Sequence, residues 1–168
     1  HVLLQLVSMS AYLLDGYAHA TEILVGRAVG AADRHDFDRA VRAATTLAAW
    51  TGLALAAAVL LGGGLVARGL TDIDAVRDIA VAYLPWTALY VSVSFAAFQL
   101  DGIFIGATGT GAMRNASVLS CLAFIAVSYV LIPRWQNLGL WIAFVFYVTA
   151  RAVALGVRYP ALRRSVGA

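Results

Sequence analysis

Apolar residues run along this chain in blocks longer than the core elements of a soluble domain. Five such stretches lie near residues 3–30, 44–66, 78–106, 115–132 and 138–157. Each is close to, or longer than, the roughly 20 residues a helix needs to cross a bilayer. A membrane β-barrel would instead show short segments alternating apolar and polar. Leu53-Ala54-Leu55-Ala56-Ala57-Ala58-Val59-Leu60-Leu61 is apolar on every side and rich in good helix formers. The pattern predicts an all-α integral membrane protein, a polytopic bundle of five transmembrane helices. Short connections make sequence neighbours antiparallel.

The breaks between blocks carry their own signals. The mixed-sign run Asp33 to Arg39 suits a solvated turn after the first helix. Gly62-Gly63-Gly64 is expected to end the second span. Thr71-Asp72 reads as the N-cap of a short interfacial helix, with Asp74, Arg77 and Asp78 at the interface, leading into the third span. Pro85 removes a backbone donor two turns into that span, and Tyr83 and Trp86 beside it suit an aromatic belt. Ile132-Pro133-Arg134-Trp135 closes the fourth span. Glycines four residues apart, Gly26 with Gly30 and Gly102 with Gly106, mark faces where helices approach closely.

Composition agrees with the pattern: 62% of residues are hydrophobic and 12% charged, and the mean hydropathy is +0.83. The lone Cys121 falls inside the fourth span, where it has no intramolecular disulfide partner and reads as a small packing residue. All basic side chains are arginine, and their distribution argues for topology rather than nucleic-acid binding. Eight (Arg27, Arg34, Arg39, Arg42, Arg114, Arg158, Arg163, Arg164) fall on one side of the membrane and three (Arg68, Arg77, Arg134) on the other. The positive-inside rule puts the richer side in the cytoplasm and the N-terminus of this segment outside. An outside start with neither Met nor signal peptide reads as a fragment, so that residues 1–168 form a partial transmembrane lobe.

The chemistry that stands out lies inside the first helix. Asp15, His19 and Glu22 are spaced by four and three residues, which puts them on one stripe. Intramembrane acids are costly to insert, at least about 2.5–3.5 kcal/mol each, and are kept for a task or for a partner. Asp101 in the third span is a third such acid. The structural alternative is static pairing, Glu22 with Arg27 or Arg151 and Asp101 with Arg114. Two ligands without a further His or Cys cluster do not make a metal site. Gly106-Ala107-Thr108-Gly109-Thr110-Gly111 lacks the strand and lysine of a phosphate cradle and reads as a loop.

Two stretches carry a resemblance. One is Leu14-Asp15-Gly16-Tyr17-Ala18-His19-Ala20-Thr21-Glu22-Ile23-Leu24-Val25-Gly26-Arg27-Ala28-Val29-Gly30-Ala31, preceded by His1-Val2-Leu3-Leu4-Gln5-Leu6. The other is Leu100-Asp101-Gly102-Ile103-Phe104-Ile105-Gly106-Ala107-Thr108, with Met113-Arg114-Asn115-Ala116. Together they resemble the C-terminal half of the multidrug and toxic compound extrusion (MATE) transporters, in the DinF-like branch. That family has twelve helices in two six-helix lobes, and this chain is similar to helices eight to twelve.

The resemblance implies part of a bacterial inner-membrane antiporter, not an enzyme, without cofactor. It implies export of small cationic or amphiphilic organic compounds in exchange for protons or sodium ions by alternating access. Its implied partners are the lipid bilayer and the missing N-terminal lobe, not nucleic acid. Asp15, Glu22, Asp101 and His19 are then the candidates for ion or proton coupling, and Tyr12, Tyr17 and Phe98 for the substrate cavity wall. The alternatives are a lipid-linked oligosaccharide flippase of the same superfamily, an intramembrane enzyme, or a structural membrane subunit.

Overall fold

The computed structural model describes residues 2–167, and every element among them is helical. α1 spans Val2–Gly30, α2 Arg34–Leu70, α3 Asp74–Gly106, α4 Thr110–Gly156 and the short α5 Tyr159–Ser165. α4 is two helices in one. At Gln136 the backbone leaves the helical region (φ 48°, ψ −122°), three residues after Pro133. The two arms, 110–135 and 137–156, fold back on each other. Phe124 stacks on Phe144 with ring centroids 5.5 Å apart and meets Tyr147 edge-on at 5.9 Å. Gly139 lies so close to the Leu131 carbonyl that a Cβ there would sit 2.5 Å from the oxygen. The fourth and fifth stretches read from the sequence are therefore the arms of one hairpin, and the three longest helical segments, α2, α3 and α4, are each apolar and long enough to cross a membrane.

α3 is the hub, packed against α1, α2 and α4. Its consecutive residues Gly102, Ile103 and Phe104 are all buried, which requires cover on every side. Glycine makes that possible on the α1 side. A Cβ at Gly102 would overlap the Ala18 carbonyl oxygen, and one at Gly106 would stand 2.5 Å from the Glu22 carbonyl oxygen. Gly26 completes this small-residue seam, whereas Gly30 has nothing within 4 Å. α2 presents Ala44, Ala48, Gly52, Ala56 and Gly63 at helical spacing along its buried face.

Several expectations are corrected. Gly62-Gly63-Gly64 does not end a helix, for α2 runs on to Leu70, and Gly63 makes room for Leu84 of α3. Thr71 is the C-cap of α2, not the N-cap of an interfacial helix, and α3 begins directly at Asp74. Arg77 ties this tight turn together: its Nε donates to the Thr71 carbonyl at 2.8 Å and Nη1 to Asp74 at 3.0 Å. The run Asp33 to Arg39 is the first turn and a half of α2, not a solvated loop. Asp33 caps it by accepting the Asp36 amide at 2.9 Å, Arg39 pairs with Asp36, and Phe37 is fully buried. Cys121 is exposed on the first arm of α4 rather than buried as a packing residue.

The two turns after α1 and α3 share one geometry. Asp33 N–H reaches the Ala28 carbonyl and Ala32 N–H the Val29 carbonyl, both at 3.0 Å, with Ala32 at φ 51°. Gly109 and Thr108 repeat the pattern onto Phe104 and Ile105, with Thr108 at φ 56°. These are Schellman caps whose left-handed position holds a residue other than glycine, which is why the turns carry no glycine signal at that position.

Candidate functional site

α1 buries Leu14, Ala18 and Thr21 against its neighbours. Asp15, His19 and Glu22 each follow one of these by one residue, so the acidic stripe is turned about 100° from the packed face. The three side chains are joined: His19 Nε2 lies 3.3 Å from Asp15 Oδ2, and His19 Nδ1 lies 3.5 Å from Glu22 Oε2. Exposures of 49%, 68% and 38% for Asp15, His19 and Glu22 leave this face open within the five-span unit. An imidazole between two carboxylates gives three neighbouring groups that can share an incoming proton or present oxygens to a small cation.

Asp101 is placed differently. From α3 it meets Arg151 on the second arm of α4, which donates Nε to Oδ2 at 3.0 Å and Nη2 to Oδ1 at 2.9 Å. The remaining Nη1 donates to Ser117 Oγ on the first arm at 2.7 Å, so one guanidinium bolts α3 to both arms of the hairpin. Tyr147 lies against the same guanidinium. Static pairing is thus correct for Asp101, but its partner is Arg151 and not Arg114, which is exposed and bonds to Asn115. Glu22 pairs with neither Arg27 nor Arg151 but with His19.

The aromatic candidates separate. Tyr12 is exposed on α1, one turn before Asp15 and on the stripe's side of the helix. Tyr17 is half-buried, its hydroxyl accepting from Thr51 Oγ1 of α2 at 2.9 Å. Phe98 is half-buried on α3. The structure also sets a buried amide in the seam that sequence reading missed: Gln99 Nε2 donates to Thr21 Oγ1 at 2.9 Å, and Thr21 Oγ1 in turn donates to the Tyr17 carbonyl at 2.7 Å. The sequence offers Arg151 to Glu22, and it goes to Asp101 instead; as the one charged residue within the apolar stretch 138–157 it needs an acid on a neighbouring helix, without the spacing saying which. Among the described residues no three His, Cys, Asp or Glu side chains converge as a metal centre needs.

The MatE family model matches residues 1–130. The chain belongs to the MatE family. Over 154 residues it is 32% identical to DNA damage-inducible protein F of Escherichia coli, covering 92% of this chain and 33% of that protein. It is 30% identical over 154 residues to Protein DETOXIFICATION 42 of Arabidopsis thaliana, covering 90% of this chain and 29% of that one. The probable multidrug resistance protein NorM of Xanthomonas axonopodis is 29% identical over 164 residues, covering 91% of this chain and 34% of NorM. The fold is that of the eukaryotic MATE transporter AtDTX14, with a TM-score of 0.88 at 19% identity over 99% of this chain and 39% of that structure. This MatE chain spans about a third of the length of the curated relatives it matches. Its apolar helices and its relatives make it a multi-pass membrane protein of a transporter family.

Proposed function

We propose that this MatE chain supplies most of the second lobe of a bacterial secondary antiporter, which exports cationic or amphiphilic organic compounds in exchange for protons or sodium ions. One observation carries the reading: the linked stripe Asp15, His19, Glu22 sits on a face of a membrane helix that none of the other four spans covers. Hydrocarbon is a poor surrounding for such a face, so it borders a wet interior shared with the rest of the transporter. The orientation that fits the arginine count has the segment's N-terminus outside and α5 in the cytoplasm. Tyr12, one turn before Asp15, flanks the stripe as cavity wall and Phe98 borders it from α3, whereas Tyr17 points to Thr51 of α2 on the other side of α1.

In this reading the two acid sites act differently. Ion uptake on the stripe neutralises Asp15 and Glu22 and changes how favourably that face meets water, biasing the lobe between two packings; drug release and ion entry are then linked. An ion reaching Asp101 must displace the Arg151 guanidinium rather than fill an empty site, which ties any event there to the α3 and α4 interface. The test uses the full-length transporter in everted vesicles with a fluorescent cationic dye and an imposed proton or sodium gradient. Asp15→Asn and Glu22→Gln are expected to reduce ion-driven efflux without loss of expression. Unchanged transport by both variants removes the coupling role.

A further inference from the structure

At the arginine-rich end, α2, α3 and α5 enclose two hollows. One, of about 610 Å³, is lined by Arg34, Asp38, Arg42, Pro160, Arg163 and Arg164. The other, of about 410 Å³, follows the seam between α2 and α3 from Ile103 past Leu100 and Ala96 to Phe95. Val41, Arg42 and Tyr159 line both, so the two hollows adjoin and together form a slot with a cationic upper part and an apolar lower part.

The upper part of the slot is cationic beyond its own needs. Its single carboxylate, Asp38, is taken by Arg163, whose Nε donates to Oδ1 at 2.6 Å. Arg164 has one bond, to the Pro160 carbonyl at 3.2 Å. Arg34 and Arg42 are exposed, and their guanidinium groups donate no hydrogen bond among the described residues. The trough below is largely apolar, and the Thr45 hydroxyl near its upper end has no hydrogen bond among the described residues. The Gln99 amide is held by Thr21, and the Thr46 hydroxyl donates to the Arg42 carbonyl at 2.8 Å. From Ile103 to Phe95 the seam rises about 12 Å, room for a good part of an acyl chain.

A free anion has no use for the trough, and a zwitterionic lipid brings its own cation against Arg34 and Arg42. We propose that the slot is a binding site for a glycerophospholipid with an anionic headgroup, its phosphate on Arg34 and Arg42 and one acyl chain laid along the α2 and α3 seam. The site depends on neither the coupling ion nor the exported substrate, so it stands or falls apart from the transport reading. Its depth is right for the leaflet on the arginine-rich side, where anionic headgroups attract basic side chains.

The test is native mass spectrometry of the full-length transporter in a neutral detergent, titrated with palmitoyl-oleoyl phosphatidylglycerol and, separately, with phosphatidylcholine of the same chains. Phosphatidylglycerol is expected to bind about thirtyfold tighter, the factor set by two arginines near a headgroup. Arg34→Gln with Arg42→Gln should bring it to the phosphatidylcholine level, while Arg42→Lys keeps most of the binding. Ala96→Phe fills the trough and should weaken phosphatidylglycerol with every charge in place. Both arginines are exposed, and an unchanged thermal midpoint certifies the fold of their variants, so their result decides even if Ala96→Phe does not fold. Four results each overturn the proposal: equal binding of the two lipids, wild-type binding by the double variant, displacement of the lipid by equimolar glycerol phosphate, or no lipid bound because the rest of the transporter covers the slot.

Discussion

Arg151 and Asp101, fifty positions apart in sequence, meet in a two-pronged ion pair between the second arm of α4 and α3, and the third arm of the same guanidinium holds Ser117. The pair is largely shielded, with side-chain exposures of 17% and 22%. A shielded pair is weak evidence of net stabilisation, but removing one partner strands the other, at about 3–5 kcal/mol. Arg151→Gln should therefore lower the thermal midpoint of the full-length transporter in detergent sharply. Asp101→Asn combined with Arg151→Gln should cost clearly less than the sum of the two single changes. Arg151→Lys should rescue little, because a point charge cannot span two carboxylate oxygens and a hydroxyl at once. Additive losses would show that the two groups do not depend on each other.

The α1 and α3 seam gives a contrast between glycines. Gly102→Ala puts a methyl group onto the Ala18 backbone carbonyl, which has no rotamer to yield, so the helices must move apart. The expected loss is about 1–3 kcal/mol, the scale of overpacking. Gly30→Ala, with nothing within 4 Å, should be neutral or slightly stabilising because it cuts the freedom of the unfolded chain. Matched thermal unfolding of both variants checks the difference, and equal effects would mean that the seam is not the tight contact described.

Gln136 turns the α4 hairpin at φ 48°, ψ −122°, a conformation that side chains other than hydrogen disfavour. Such a residue costs about 1–3 kcal/mol, whereas glycine adds about 0.5–1 kcal/mol of unfolded-state freedom. Relief of strain is the larger effect, so Gln136→Gly should stabilise the transporter by about 1 kcal/mol. Gln136→Val should destabilise it, since β-branching makes the same backbone worse. A fall in thermal midpoint for Gln136→Gly would show that the strain is not there.

How far the sequence reached depended on which interactions a feature needs. The long apolar helices α2, α3 and α4 were legible because crossing a bilayer is set by run length and apolarity, properties of one segment alone. The glycine spacing of Gly102 and Gly106 likewise announced close approach, although not that the opposing backbone is Ala18 and Glu22. Gly62-Gly63-Gly64 misled for the same reason: their weak helix propensity is local, but the fit of Leu84 over Gly63 is not. The charged run at the start of α2 reads as a loop in the sequence. Although Asp33, Arg34, His35 and Arg39 are exposed, it is helical and is anchored where Phe37 stacks on Tyr159 at 6.3 Å and Asp38 meets Arg163 from the far end of the chain.

The stripe shows both halves of this. Helical period by itself put Asp15, His19 and Glu22 on one line, and 3.6 residues per turn guaranteed that they would touch. Whether that line faces the bundle or stands clear of it depended on which side of α1 the other helices chose. They chose the adjacent face, where Ala18 and Thr21 let Gly102 and Gln99 come close. Spacing along one helix is fixed by the chain, and so the sequence determined the stripe. Pairing across helices is fixed by packing, and so only the tertiary structure could give Asp101 to Arg151 and leave the stripe uncovered.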